Sequence, residues 1–319
     1  MDLADSAEAR LPPEKVDDFR RVSFELKHGR MAGIAFGDAT RPPDILFLHA
    51  TGFNARTYRT LLAPLASRFH VVAVDMRGHG QTTLPTKLFG YDSWRKHRND
   101  ILALLDGHFA QPVTLAGHSM GAVVSLMAAG KRPDLVRGLA LIEPVILSAA
   151  QYAMVELPAG PLLGRLTMPI SRGAMRRRAT YESREQAAET LAKRGIFRGF
   201  PPEVLADYVA DGFVDDGAGG VTLACAPAYE AATFAAQRND PWRALKRAPE
   251  PIVLLRAEHG STISAKAAQK FQTRRPDARI ASVEGAGHML PIERPDRARA
   301  AIETAALMAS PTRQFRDLI

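Results

Sequence analysis

Residues 112–130 read PVTLAGHSMGAVVSLMAAG, and the middle of this stretch decides the fold. A short apolar run leads into Gly117-His118-Ser119-Met120-Gly121, and a helical run of small residues follows. G-x-S-x-G between a strand and a helix marks a sharp turn that exposes a serine hydroxyl at a sheet edge. The two glycines remove side chains that would clash in so tight a turn. A helix N-terminus behind the serine favours a developing negative charge. Ser119 is therefore the candidate nucleophile.

Outward from this turn the same alternation continues. The apolar runs are DILFLHA (44–50), HVVAVDM (70–76), PVTLAGHS (112–119), RGLALIEP (137–144), PIVLLRA (251–257) and ARIASVE (278–284). Near-continuous apolarity is expected of strands covered on both faces. Segments with helical spacing lie between them, which argues for a mostly parallel sheet flanked by helices. RVSFELK and MAGIAFG, near the start, read as an antiparallel pair joined by HGR. The alternation breaks between Pro144 and Asp240, where helical stretches such as ESREQAAETLAKR stand between breaks such as FRGFPP and DDGAGG. That interval reads as a helical insertion. The expected division is core over 1–143, helical cap over 144–240 and core again over 241–319.

Composition narrows the function. The chain has 319 residues, a net charge of +8 and 46% apolar residues, an ordinary globular balance. Its basic residues are interspersed with acids, and no nucleic-acid motif is present, so no nucleic-acid partner is expected. No apolar window is long enough to span a membrane, and the polar start lacks an apolar signal core. One cysteine, Cys225, excludes an intrachain disulfide and a cysteine metal site; it reads as a small buried apolar residue. A cytoplasmic setting, a small-molecule substrate, and no metal or other cofactor are expected. The run Arg176-Arg177-Arg178 reads as a solvated helix face.

A serine hydroxyl needs a base. His288, in VEGAGHMLPIERPD, follows the last strand run in a glycine-flanked loop that can swing an imidazole over the sheet edge. His118 adjoins Ser119 but should point the other way. His49, His79 and Asp75 read as loop-holding residues. His28, His70, His97, His108 and His259 read as surface or loop residues.

LFLHATGFNARTY, VDMRGHG, LAGHSMG and GAGHMLPIERPD, in this order, resemble the α/β-hydrolase-fold superfamily, in particular its capped, carboxylesterase-like serine hydrolases. The resemblance covers about residues 30–310. It implies an eight-stranded, mostly parallel sheet with a cap inserted after the sixth strand. It also implies an oxyanion hole from the backbone N–H of Met120 and a donor in HATGFN. Ala50 stands where a glycine is usual, which leaves Thr51 as that donor, with Gly52 or Phe53 if the loop register differs.

The acid that orients His288 departs from the pattern. The resemblance implies an aspartate just after the seventh strand, but in LLRAEHGST (254–262) that position is Gly260. Glu143, at the end of RGLALIE, is the first choice, because the carboxyl ends of neighbouring strands meet over one crevice. Pro144 should keep it extended. Glu258 is the second choice. Relatives with an aspartate nucleophile are set aside by Ser119. An ester hydrolase is the leading expectation; a C–C bond hydrolase of diketone-like substrates and a non-enzymatic binding module are the alternatives. Met154, Leu157, Leu162, Leu163 and Phe213 are candidates to line a cap pocket or to pack the cap on the core.

Overall fold

The structure, a computed structural model, describes residues 19–157 and 160–309. The tail SPTRQFRDLI, read above as loosely held, and the polar start lie outside them. Six strands come first: β1 (Arg20–Leu26), β2 (Gly29–Phe36), β3 (Ile45–Leu48), β4 (Val71–Val74), β5 (Val113–His118) and β6 (Val136–Ile142). Three short strands follow, β7 (Thr180–Tyr181), β8 (Phe213–Asp215) and β9 (Val221–Leu223), and then β10 (Ile252–Ala257) and β11 (Arg279–Val283).

The main sheet has the order β1-β2-β4-β3-β5-β6-β10-β11. β2 is antiparallel to β1 and β4, and every other pair is parallel. This is the expected fold. Alternation along each strand explains the apolar runs. Ile45 and Phe47 face one core layer, shared with the helix Pro295–Met308. Leu46 and Leu48 face the other, shared with the helices Arg95–His108 and Met120–Lys131. β11 departs from the expectation of burial on both faces: it is an edge strand, and only Val283 among its residues is buried. β5 lies at the centre, so the chain leaves Gly117 and His118 with parallel neighbours on both sides.

The interval between β6 and β10 is mostly helical, as read, but it also holds a three-stranded sheet ordered β7-β9-β8. Strands of two or three residues carry too little periodicity to register as apolar runs. Polar ties fasten the interval to the core. Asp207 accepts from Arg56 at 3.0 Å and Arg59 at 2.7 Å, and the Trp94 indole donates to the Thr233 carbonyl at 3.0 Å. Phe53 packs among Phe197, Phe200 and Tyr208.

The arginine run is not a solvated face throughout. Arg177 turns inward, pairing with Glu230 at 2.7 Å and donating to the Tyr208 hydroxyl at 2.7 Å. A buried glutamate needs a charged partner, and Glu230 takes the nearest guanidinium. The apolar residues of this interval divide. Phe213 is fully buried, whereas Met154, Leu157, Leu162 and Leu163 are exposed and line no cavity around Ser119. Cys225 is buried, and burial pushes its thiol pKa well up.

Candidate active site

Ser119 ends the turn after β5 at φ 56°, and Glu143 follows β6 at φ 50°. Among the described residues these are the two non-glycine positions with positive φ. Such strain persists only where surrounding contacts enforce it, and it clusters at functional sites. The flanking glycines answer a different need, close approach. A Cβ on Gly117 would lie 2.5 Å from the Gly121 carbonyl carbon, and one on Gly121 would lie 2.1 Å from the Leu48 carbonyl oxygen. Gly121→Ala is expected to destabilise the fold by about 1–3 kcal/mol, since backbone must yield. Urea unfolding checks this; an unchanged midpoint would contradict the packing argument.

His288 bridges the two strained residues. Its Nε2 lies 3.1 Å from the Ser119 hydroxyl and its Nδ1 lies 3.1 Å from Glu143 Oε2. The first-choice residues therefore meet in one hydrogen-bonded chain. Glu143 is not extended as Pro144 implied. Its left-handed φ turns the side chain across to the loop after β10, and the contacts found there hold it. Oε1 accepts from the Ala257 amide at 2.5 Å and the Ser261 hydroxyl at 2.6 Å, and Oε2 accepts from the Thr262 amide at 3.0 Å. Burial opposes ionisation of this carboxyl, but the bonds from His288, Ser261, Ala257 and Thr262 outweigh it and lower its pKa.

Glu258 does not reach the imidazole. It is exposed, accepts from the Gly285 amide at 2.8 Å and lies 3.3 Å from His259. Two positions short of Gly260, it points along the loop and ties down the turn leading to His288. Glu293 holds the same loop from the other side, accepting from the Gly287 amide at 2.5 Å.

In HATGFN the Gly52 amide donates to His79 Nε2 at 3.0 Å and the Phe53 amide to the Ala50 carbonyl at 3.2 Å. Those bonds occupy the two alternatives and leave Thr51. The Thr51 hydroxyl points at the Met120 sulfur, 3.4 Å away, so the two proposed donor residues touch. Asp75 accepts from the Ala55 and Gln81 amides, and His49 accepts from the Met76 amide; both hold loops and neither meets His288.

Sequence reasoning assigned no role to Tyr58, Ser261 or Thr262. Tyr58 accepts from the Ala50 amide at 3.2 Å and donates to His118 Nδ1 at 2.8 Å; His118 Nε2 then donates to the His288 carbonyl at 2.8 Å. His118 does point away from Ser119, and it joins the loop of Thr51 to the loop of His288. Ser261 and Thr262 stand in LLRAEHGST, and their hydroxyls directly after Gly260 were the available signal.

His97, read as a surface or loop residue, is buried on its helix against the Tyr91 hydroxyl at 2.7 Å. Burial lowers the pKa of His49, His97, His79 (to about 4) and His118 (to about 3) from the usual 6.5. Folded-state values are depressed, so the unfolded chain binds more protons below pH 6.5. Stability is full above that pH and is lost as pH falls, with a slope of about 1.4 kcal/mol per pH unit for each such histidine. Denaturant unfolding at pH 7.5, 6 and 5 should show this decline; a flat profile would contradict neutral burial.

Ser119, Thr51 and His288 open onto a cleft of about 430 Å³. Val145, Ile146, Leu147, Met168, Ile170 and Phe234 give it apolar walls, and Ser148, Gln151 and Gln237 add neutral polar groups. No lysine, arginine, aspartate or glutamate lines it among the described residues.

Residues 45–301 match the Alpha/beta hydrolase family. The chain belongs to that family. A 2-(acetamidomethylene)succinate hydrolase of Mesorhizobium japonicum is 30% identical over 251 residues, 77% of this chain and 81% of that protein. A crystal structure of E-2-(acetamidomethylene)succinate hydrolase superposes with a TM-score of 0.72 at 25% identity, covering 90% of this chain and 98% of that one. The thioesterase domain from the curacin biosynthetic pathway shares the fold, with a TM-score of 0.72 at 19% identity over 89% of this chain and 99% of that domain. This family member is a hydrolase, and no helix among its described residues is long and apolar enough to cross a membrane.

Proposed function

We propose that this hydrolase cleaves a small to medium, uncharged carboxylic ester through an acyl-enzyme on Ser119. The observation that carries the reading is the Ser119–His288–Glu143 chain facing an uncharged cleft. Ser119 Oγ attacks the carbonyl carbon while His288 Nε2 takes its proton. Glu143 holds Nδ1–H and stabilises the imidazolium. The amides of Thr51 and Met120 hold the oxyanion. His288 returns the proton to the departing alcohol, and water, activated in the same way, releases the acid.

Similarity to succinate hydrolases favours a second reading, a substituted succinate as substrate. Two carboxylates would then enter a cleft without a cation, and burying unpaired charge is costly. Hydrolysis of p-nitrophenyl esters from acetate to decanoate, beside 2-(acetamidomethylene)succinate and a β-diketone, separates the readings. The neutral esters should show the higher kcat/KM. Preference for the succinate or the diketone would overturn the ester assignment.

A further inference from the structure

We propose that a second cleft, away from Ser119, binds a small molecule carrying two or more phosphate groups. The cleft is about 310 Å³ and lies where the helices Arg95–His108, Met120–Lys131 and Pro241–Leu245 converge. Its floor is apolar and closely packed. A Cβ on Gly130 would lie 2.5 Å from the Ala244 Cα, so two backbones touch there, with Met127 beside them. Six cations line the walls, Arg95, Arg98, Lys131, Arg238, Arg243 and Arg247, against one carboxylate, Asp240.

The charge within the cleft is largely uncompensated. Asp240 is engaged in capping a helix, accepting from the Arg243 amide at 2.9 Å. Asp92, outside the cleft, reaches Arg238 at 3.4 Å and Arg95 at 3.7 Å. Among the described residues, Arg98, Lys131, Arg243 and Arg247 pair with no carboxylate. Arg95 and Arg98 also stand in the first turn of a 14-residue helix that has no acid there. The helix dipole disfavours cations at that end and favours an anion. Burial, and then the neighbouring Arg95, lower the pKa of Arg98.

A concave, basic, apolar-floored cleft concentrates field and suits several phosphates rather than one. Arginine forks match phosphate oxygens two at a time. The cleft is also too confined for a nucleic-acid duplex. It has no lining residue in common with the cleft at Ser119, although Trp94 and Gln237, which line that one, precede Arg95 and Arg238 in the chain.

Isothermal calorimetry at low salt with inorganic pyrophosphate, orthophosphate and ADP tests the site on the full chain. Pyrophosphate should bind more tightly than orthophosphate. The double variant Arg243→Gln, Arg247→Gln should weaken it at least about tenfold, roughly the loss of one charge-assisted hydrogen bond. Both arginines are exposed, and p-nitrophenyl acetate hydrolysis should stay at the wild-type rate in that variant as a check on folding. ADP binding more tightly than pyrophosphate assigns the site to nucleotides; equal affinity assigns it to free polyphosphate. The proposal fails if neither ligand binds, if orthophosphate binds as tightly as pyrophosphate, or if the double variant binds like wild type.

Discussion

Changing Glu143 to glutamine should lower kcat on an ester by about 10⁴-fold. The carboxylate holds Nδ1–H of His288, which leaves Nε2 free to take the Ser119 proton. A glutamine with its oxygen on the Ala257 and Ser261 side presents its NH₂ to His288. Nδ1 then becomes the acceptor, and Nε2 carries the hydrogen that faces Ser119. The base is lost although the ring stays in place. The same NH₂ opposes the Thr262 amide, so the variant should also lose about 1–3 kcal/mol for a buried donor left unpaired. Glu258→Gln provides the contrast. Its carboxylate supports the Gly285 amide and lies away from the imidazole, so kcat should remain within an order of magnitude of wild type. Steady-state kinetics on the three proteins, each checked by circular dichroism, decide between the two acids. Full activity in Glu143→Gln would remove it from the mechanism.

Ser119→Ala should have the larger effect, a fall in kcat of about 10⁶-fold, because no acyl-enzyme can form. The residual rate would come from the proposed oxyanion donors, the Thr51 and Met120 amides. Binding should survive, since Ser119 is one of many groups lining the cleft. Removing a positive-φ side chain oxygen leaves the backbone turn intact, and alanine at φ 56° carries the same kind of strain as serine. Its unfolding midpoint should therefore stay close to wild type. A variant that loses activity and stability together would point to a structural role for the hydroxyl instead.

Much of this was legible in the chain because the proposed reacting groups sit at junctions. Ser119 lies where a strand run becomes a helix run. His288 lies in a glycine-flanked loop after the last strand. Both junctions carry short-range signals. Glu143 was legible only indirectly, from the missing aspartate at Gly260 and a charge closing an apolar run. Its backbone was misjudged, because a following proline states a local preference that several long-range hydrogen bonds override. Ser261 and Thr262 support Glu143 across more than a hundred residues, and no sequence periodicity encodes such a contact. The interval between β6 and β10 was the least legible part. Its strands are too short to show alternation, Leu157, Leu162 and Leu163 face outward while Leu191 and Leu205 are buried, and Arg177 is drawn inward by Glu230, which is distant in sequence.

The proposed mechanism passes through a covalent acyl-enzyme on Ser119, which intact-protein mass spectrometry can detect. Mixing with p-nitrophenyl butyrate and quenching in acid on the millisecond scale should reveal one added butyryl group, and peptide mapping should place it on Ser119. The adduct should decay as hydrolysis proceeds and be absent from Ser119→Ala. Turnover of the ester with no adduct at any quench time, or an adduct on another residue with Ser119→Ala still active, would contradict the account.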